Sequence, residues 1–106
     1  MGATLVKVTF PSPEAARTVG RALVEARLAA SVNIAEGITS FYWWESAVRE
    51  SAEALLFAKT RDALVDRLVA FVRERHPYDC PAILATPITG GNPDYLEWIE
   101  RETGGG

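Results

Sequence analysis

The sequence predicts an α+β fold with the element order βαββαβ and a further helix near its C-terminal end. Two observations set this order: helix-start signatures follow short extended runs, and Ser31 to Thr60 shows no helical periodicity. A third is the aromatic run Phe41 to Trp44 inside that extended segment. Half-exposed strands seldom leave so much aromatic surface uncovered, so we expect this run to meet a core or another molecule.

Length and composition limit the class of protein. The chain has 106 residues, 48% of them hydrophobic, which is enough for one core; we predict one domain, 1–103, and a flexible glycine tail, 104–106. A net charge of −3 argues against a nucleic-acid partner. The single cysteine, Cys80, excludes an intrachain disulfide and favours a reducing cytoplasm. No apolar run approaches the roughly 18 residues that span a bilayer, so we expect neither membrane nor targeting segments.

The first two elements are a strand and a helix. Leu5 to Phe10 is a β-branched run that ends at Pro11, typical of a strand. Ser12 can then cap a helix that has proline and an acid in its first turn. Its apolar side recurs with 3,4,3,4 spacing, at Ala16, Val19, Leu23, Ala26 and Ala30.

The extended segment from Ser31 to Thr60 predicts two long strands. We expect a turn at Glu45-Ser46-Ala47 and a bulge at Glu36-Gly37. Each strand would then exceed the usual five or six residues, so the hairpin should project beyond the domain. Strand alternation puts Tyr42 and Trp44 on one face and their aromatic neighbours on the other.

The remaining elements alternate again. Thr60 is predicted to cap a second helix, with Asp62 in its first turn, which ends at His76-Pro77. The stretch from Pro81 to Ile88 predicts a fourth strand, Ala82 to Thr86, which Pro87 cuts. Asn92-Pro93-Asp94 should then open a short helix. This order is that of a ferredoxin-like sandwich, whose helices cover one face of the sheet and leave the other face to be explained.

Catalytic combinations are scarce in this sequence. The only histidine is His76, and no serine lies in a nucleophile-elbow context, so we predict no enzyme. Cys80 lies four residues from His76 in a loop bracketed by prolines, where a plain loop cysteine is the favoured interpretation. One histidine, one cysteine and one methionine cannot close a transition-metal site within one subunit, although copies related by symmetry could.

Three features have both a structural and a functional interpretation. His76 either complements the helix dipole or binds a ligand, and Glu53 is either a strand residue or an oxygen donor. Gly90-Gly91 before Asn92 is an ordinary tight connection or, less favoured, an anion cradle. The aromatic run could stack RNA bases, but the third strand lacks the basic-glycine-aromatic pattern of RNA-recognition domains. We therefore favour burial between subunits.

Several short motifs follow one another in order from Leu5 to Arg101. They are Ala29 to Asn33, Ser40 to Glu45, Glu53 with Lys59-Thr60, His76-Pro77-Tyr78 with Pro81, Pro87-Ile88, and Gly91 ahead of Tyr95 to Ile99. This series resembles the CutA divalent-cation-tolerance family. The resemblance implies a PII-like homotrimer of ferredoxin-like subunits with long hairpins, a response to divalent metals such as copper, and no catalytic activity or required cofactor.

The resemblance carries over to some positions and not to others. Where some relatives have the cysteines, histidine or glutamate that are their proposed copper ligands, this chain has Thr9, Ser31, Arg75 and Ala82. The matching positions imply a metal ligand at His76 and a ligand site at a subunit boundary, formed by Tyr42, Trp44, Glu53, Lys59 and Tyr78. The first function expected is a trimeric protein that binds or responds to divalent ions, copper included. The alternative is a PII-like sensor of a small anionic metabolite, or a scaffold for a protein partner.

Overall fold

Residues 2–104 are described by a computed structural model of the chain. In order, the elements are β1 (Ala3–Phe10), α1 (Pro13–Glu25), β2 (Ser31–Trp44), β3 (Ala47–Arg61), a 3₁₀ turn (Asp62–Leu64), α2 (Val65–Arg75), β4 (Ile83–Ile88) and α3 (Pro93–Glu102). The predicted α+β order is confirmed. The backbone amide of Gly104 donates to the carbonyl of Arg27 at 2.8 Å, and the rest of the predicted glycine tail, 105–106, lies outside the described residues.

The four strands form one antiparallel sheet in the order β2-β3-β1-β4. The two strands that flank the central hairpin in sequence, β1 and β4, thus pair side by side, as a split βαβ arrangement requires. The prediction that Pro87 cuts the fourth strand is wrong. Pro87 lies within β4, opposite Thr4, and is tolerated because β4 is an edge strand with one side free of ladder hydrogen bonds.

The hydrophobic core lies between one face of the sheet and the helices. Alternate residues of β1 and β3 point into it, and α1 and α2 supply the opposite side. Its members include Val6, Val8, Phe10, Ala54, Leu56, Ala58, Ala16, Val19, Leu23, Leu68 and Val72. The other sheet face, here called the open face, carries half-buried side chains such as Leu5, Leu55 and Phe57. The sequence-based expectation of one covered and one uncovered face therefore holds for the single chain.

Helix α1 is shorter than its apolar spacing predicted. The Ser12 hydroxyl accepts from the Ala15 amide, which confirms the N-cap, but the helix ends at Glu25. Arg27 adopts a left-handed φ of 60°, and the Leu28 amide turns back to the Leu23 carbonyl at 3.0 Å. This is a Schellman ending, in which a left-handed residue stops the helix. Ala26 is consequently exposed, and Ala30 reaches the core from outside the helix.

The predicted cap at Thr60 is also wrong. Thr60 is a buried residue of β3 opposite Thr4, because pairing with β1 carries the strand on to Arg61. The chain then makes the 3₁₀ turn, and α2 starts at Val65 without a side-chain cap. Its end is as predicted, since His76 is already extended at ψ 137° ahead of Pro77.

The central hairpin is the longest feature of the molecule. Its strands have 14 and 15 residues, and the molecule measures 44 × 25 × 21 Å. Glu45 and Ser46 both have positive φ and form a two-residue turn, so Ala47 is already the first residue of β3. The pairing register shifts between Ala35 and Ile38, which confirms the predicted bulge. Past the bulge the hairpin leaves the sheet beyond the end of β1.

Candidate functional site

A cavity of about 560 Å³ lies on the open face where the hairpin leaves the sheet. The strands supply part of its wall, and the loop 77–82 that follows α2 closes the other side. Lining side chains include Thr9, Ser40, Tyr42, Trp44, Glu53 and Tyr78. The pairing of Ile38 with Glu53 explains why these strand residues meet, since every second residue from Ile38 to Trp44 shares the face of Glu53.

Glu53 and Tyr78 form the polar base of this cavity. Glu53 is only 8% exposed, and the Tyr78 hydroxyl donates to its Oε2 at 2.6 Å. Burial raises the pKa of Tyr78 above its ordinary value, and the hydrogen bond to Glu53, the charge of that carboxylate and the nearby Tyr42 raise it further. The phenol therefore stays protonated and remains a donor. Within residues 2–104, Glu53 forms no ion pair.

The raised pKa of Tyr78 makes stability depend on alkaline pH. The folded chain holds the phenolic proton more tightly than the unfolded chain, whose tyrosine has the ordinary value of 10.0. The stabilisation is complete below pH 10 and is lost as the pH rises towards the folded-state pKa. We expect the free-energy advantage of the wild type over Tyr78→Phe to be constant up to about pH 9 and to shrink above about pH 10. Urea unfolding at matched pH measures it; an advantage that grows with pH would contradict the assignment.

His76 holds the loop in place. The Tyr78 amide donates to Nδ1 at 3.1 Å, so the ring proton lies on Nε2, which donates to the Thr9 carbonyl at 2.6 Å. The ring stacks on Phe10 with 4.5 Å between centroids and lies 5.0 Å from the ring of Tyr78. Both nitrogens are thus used, and a metal ligand here would have to break one of the two bonds. As a metal ligand His76 stays a prediction; its contacts in the fold position Tyr78.

The four aromatic residues divide as alternation predicted. Tyr42 and Trp44 face the cavity, and the Tyr42 hydroxyl is 2.7 Å from the Ser51 hydroxyl. Phe41 and Trp43 lie on the opposite side of the hairpin and are 68% and 74% exposed. Neither pair fills the core of the single chain. Phe41 and Trp43, the outer pair, are thus uncovered in the single chain, and Tyr42 and Trp44, the inner pair, line the candidate site.

Lys59 is not brought to the cavity. It lies six residues along β3 from Glu53, about 20 Å away, and its amine donates to Asn33. The start of α3 lies near Ala3 and Ile88, at the opposite end of the sheet. There the Asn92 side chain accepts from the Asp94 amide, the predicted cap. The two features that suggested an anion site therefore both lie away from the cavity, towards the opposite end of the sheet.

Sequence reasoning missed several residues of the cavity. Thr9, Ser40, Pro77, Asp79 and Cys80 line it. Ser40 could have been found, because it is two residues before Tyr42 and shares its face. The loop residues carry no such signal, since a loop reaches the sheet only through the path that tertiary packing imposes.

The donors of one chain do not fit a copper ion. No group of three His, Cys, Asp or Glu residues in the described range 2–104 is close enough to hold a metal. The four positions at which the sequence departs from the expected metal ligands have structural contacts. The Ser31 hydroxyl lies 3.2 Å from the Tyr95 hydroxyl, the Arg75 guanidinium covers Phe71 at 3.5 Å, and the Ala82 carbonyl accepts from the Thr9 amide. A soft metal needs more thiolate or imidazole than this.

No helix formed by the described part of the chain is long and apolar enough to cross a membrane.

Comparison with known proteins gives consistent matches. The family model of the CutA1 divalent ion tolerance protein matches residues 4–102. The divalent-cation tolerance protein CutA of Thermus thermophilus is 48% identical over 100 residues, covering 94% of this chain and 97% of that protein. The chloroplastic protein CutA 1 of Oryza sativa is 46% identical over 99 residues, covering 93% of this chain and 56% of that protein. This chain thus spans little more than half of the rice relative.

Solved structures match over nearly the whole chain. The crystal structure of CutA1 from Oryza sativa superposes with a TM-score of 0.96 at 43% identity, covering 100% of this chain and 97% of that one. The divalent cation tolerance protein of Thermus thermophilus superposes with a TM-score of 0.94 at 47% identity, covering 96% and 99%. The architecture described above is therefore the one that these proteins have.

Proposed function

Because this chain belongs to the CutA1 divalent ion tolerance protein family, we propose that it acts in divalent-ion tolerance as a non-enzymatic homotrimer whose ligand site is the cavity beside Glu53. The observation that carries this proposal is the combination of cavity and carboxylate. A cavity of about 560 Å³ is in the size range of small-ligand sites, and Glu53 lies at its base with no cationic partner among residues 2–104.

The proposal of a binding protein follows from how the reactive groups are used. Both ring nitrogens of His76 are hydrogen-bonded to backbone groups. The imidazole is therefore not free to act as a general base that activates a nucleophile. Tyr78 is held as a neutral phenol by burial and by Glu53. The family description and the names of the relatives mention no reaction.

A homotrimer would cover what one chain leaves open. The hairpin carries Phe41, Trp43 and Val48 at 68%, 74% and 59% exposure, and Leu84 on the open face is 58% exposed. Apolar surface of this kind marks an interface. The exposed thiol of Cys80 suits a reducing compartment, and we propose the cytoplasm. Some relatives are named for other compartments, such as the chloroplast in rice.

The ion-binding part of the proposal is tested by titration. CuCl₂ is added to metal-free protein in a calorimeter, with all variants in a Cys80→Ser background because a free thiol binds or reduces copper by itself. Since one chain lacks the donors for a complete site, the proposal requires that neighbouring subunits supply the others. We then expect saturable heat at micromolar metal, and at least about tenfold weaker affinity in Glu53→Gln, since the variant loses the buried charge.

Two further variants place the metal. Glu50→Gln removes an exposed acid of the same strand, opposite Phe41 on the other face, and should leave the titration unchanged. His76→Ala tests the sequence-based ligand: loss of copper binding there, with Glu53→Gln unaffected, would move the metal to His76. No saturable heat in the wild type would overturn direct ion binding by this chain.

A second candidate function is a PII-like sensor of a small organic molecule. It is favoured by the aromatic walls of the cavity and by the poor fit of one chain's donors to a metal. The exposed hairpin beside the cavity could also bind a protein partner, as a scaffold would. Divalent ions would then act on the trimer without entering this cavity.

A further inference from the structure

We propose that the cavity beside Glu53 binds an organic ammonium ion, an alkylated amine of the choline or trimethylammonium type. This inference rests on the proposed function only in taking this cavity as the ligand site. It names the chemistry of the ligand, which the family name does not.

The charge of the cavity selects a cation. Its ten lining residues include two acids, Glu53 and Asp79, and no lysine, arginine or histidine. Glu53 is 8% exposed and has as its side-chain partner the neutral hydroxyl of Tyr78. A nearly buried carboxylate without a counter-charge is costly, and a bound cation would remove that cost. The same carboxylates repel an anion, so the anionic metabolite considered from the sequence does not suit this site.

The walls of the cavity select an alkylated ammonium over a bare metal ion. Tyr42 and Trp44 line it from β2, and Tyr78 lines it from the loop. Aromatic faces attract an ammonium group through their quadrupole and also pack against its methyl groups. A metal ion needs several oxygen, nitrogen or sulfur ligands in a shell a few ångströms wide, and no group of three His, Cys, Asp or Glu is gathered within the described residues.

Two of the three rings are already held in position. The hydroxyl of Tyr42 bonds to Ser51, and Tyr78 is fixed by Glu53 on one side and by the ring of His76 on the other. Trp44 is 46% exposed in the single chain. Groups that are ordered before binding lose little entropy on binding, which favours recognition of a small ligand.

Choline chloride is the probe that tests this inference, with its neutral isostere 3,3-dimethyl-1-butanol as the matched control ligand. Both are titrated into the protein while Trp fluorescence and calorimetric heat are recorded at constant ionic strength. We expect saturable choline binding, with the isostere at least about tenfold weaker because it lacks the charge. Equal binding of the two ligands, or no binding of choline, would overturn the ammonium assignment.

Variants locate the binding. Glu53→Gln and Trp44→Leu are each expected to weaken choline at least about tenfold, and Glu50→Gln to leave it unchanged. Tyr42→Leu replaces Trp44→Leu if that variant does not fold. Choline affinity that is unaffected in Glu53→Gln would place the ligand elsewhere and overturn the proposal.

The copper titration separates this inference from the proposed function. Copper binding that depends on Glu53, without choline binding, would keep the cavity as an ion site and overturn the ammonium ligand. Choline binding that depends on Glu53, without copper binding, would support the ammonium ligand and overturn direct ion binding. Failure of both probes would overturn the cavity as a ligand site.

Discussion

The Phe10→Ala variant is expected to unfold with a free energy about 3–5 kcal/mol below that of the wild type. Phe10 is completely buried and packs in the core at the end of β1. Its ring also supports the ring of His76 at 4.5 Å. The substitution therefore leaves a cavity in the core and removes the ring on which His76 stacks. We expect it to lower stability and also to weaken ligand binding at the candidate site, because His76 positions Tyr78.

Urea unfolding at fixed chain concentration measures the loss, since oligomer stability depends on concentration. Phe10→Leu is the matched control, because it keeps most of the apolar volume but has no ring for His76 to stack on. We expect a smaller loss of stability in that variant, together with weaker ligand binding in the cavity. If the free energy of unfolding of Phe10→Ala lies within about 1 kcal/mol of the wild-type value, the prediction is wrong, and the core has repacked to fill the space of the missing ring.

The double variant Trp43→Ser/Trp44→Ser is expected to shift the protein from the proposed trimer to monomer. The two rings are 74% and 46% exposed in the single chain. Burying the exposed part of each tryptophan between chains would contribute roughly 3–5 kcal/mol, and in a trimer the contribution is repeated in each subunit. The hairpin itself should survive, because its ladder of backbone hydrogen bonds does not depend on these side chains.

Light scattering after size exclusion measures the change. The wild type should give three times the 11.6 kDa of one chain, and the double variant a mass close to a single chain at micromolar concentration. Val24→Ser, which changes an exposed apolar residue of α1, should leave the trimer intact. A wild type that is monomeric would overturn the trimer proposal, and a trimeric double variant would overturn the role of the two tryptophans.

Local signals in the sequence predicted the elements where no distant contact opposed them. Ser12 and Asn92 cap their helices, and Glu36-Gly37 forms a bulge, because these choices depend on a few neighbouring residues. Thr60 has the same local signature and is not a cap, since pairing with β1 extends β3 past it. Arg27 ends α1 in a left-handed conformation that a sequence would more readily assign to glycine.

In the candidate site, too, local sequence predicted some features and distant contacts set the others. Alternation along β2 predicted that Tyr42 and Trp44 share a face, because side chains of a strand alternate with a period of two. The hydrogen bond from Tyr78 to Glu53 spans 25 residues and depends on how the loop after α2 crosses the end of the sheet. The same path turns both nitrogens of His76 to the backbone. Lys59 lies outside the cavity because it is six residues along β3 from Glu53.

By itself the sequence determined the fold class, the order of the elements, the family and the face on which the paired aromatic residues lie. These depend on periodicity, local turn chemistry and motif order, all of which act over short stretches of chain. Only the tertiary structure decided that Glu53, Tyr78 and the aromatic pair surround one acidic cavity without a cationic residue of its own. That assembly depends on strand register and loop path, which long-range packing sets and local sequence does not encode.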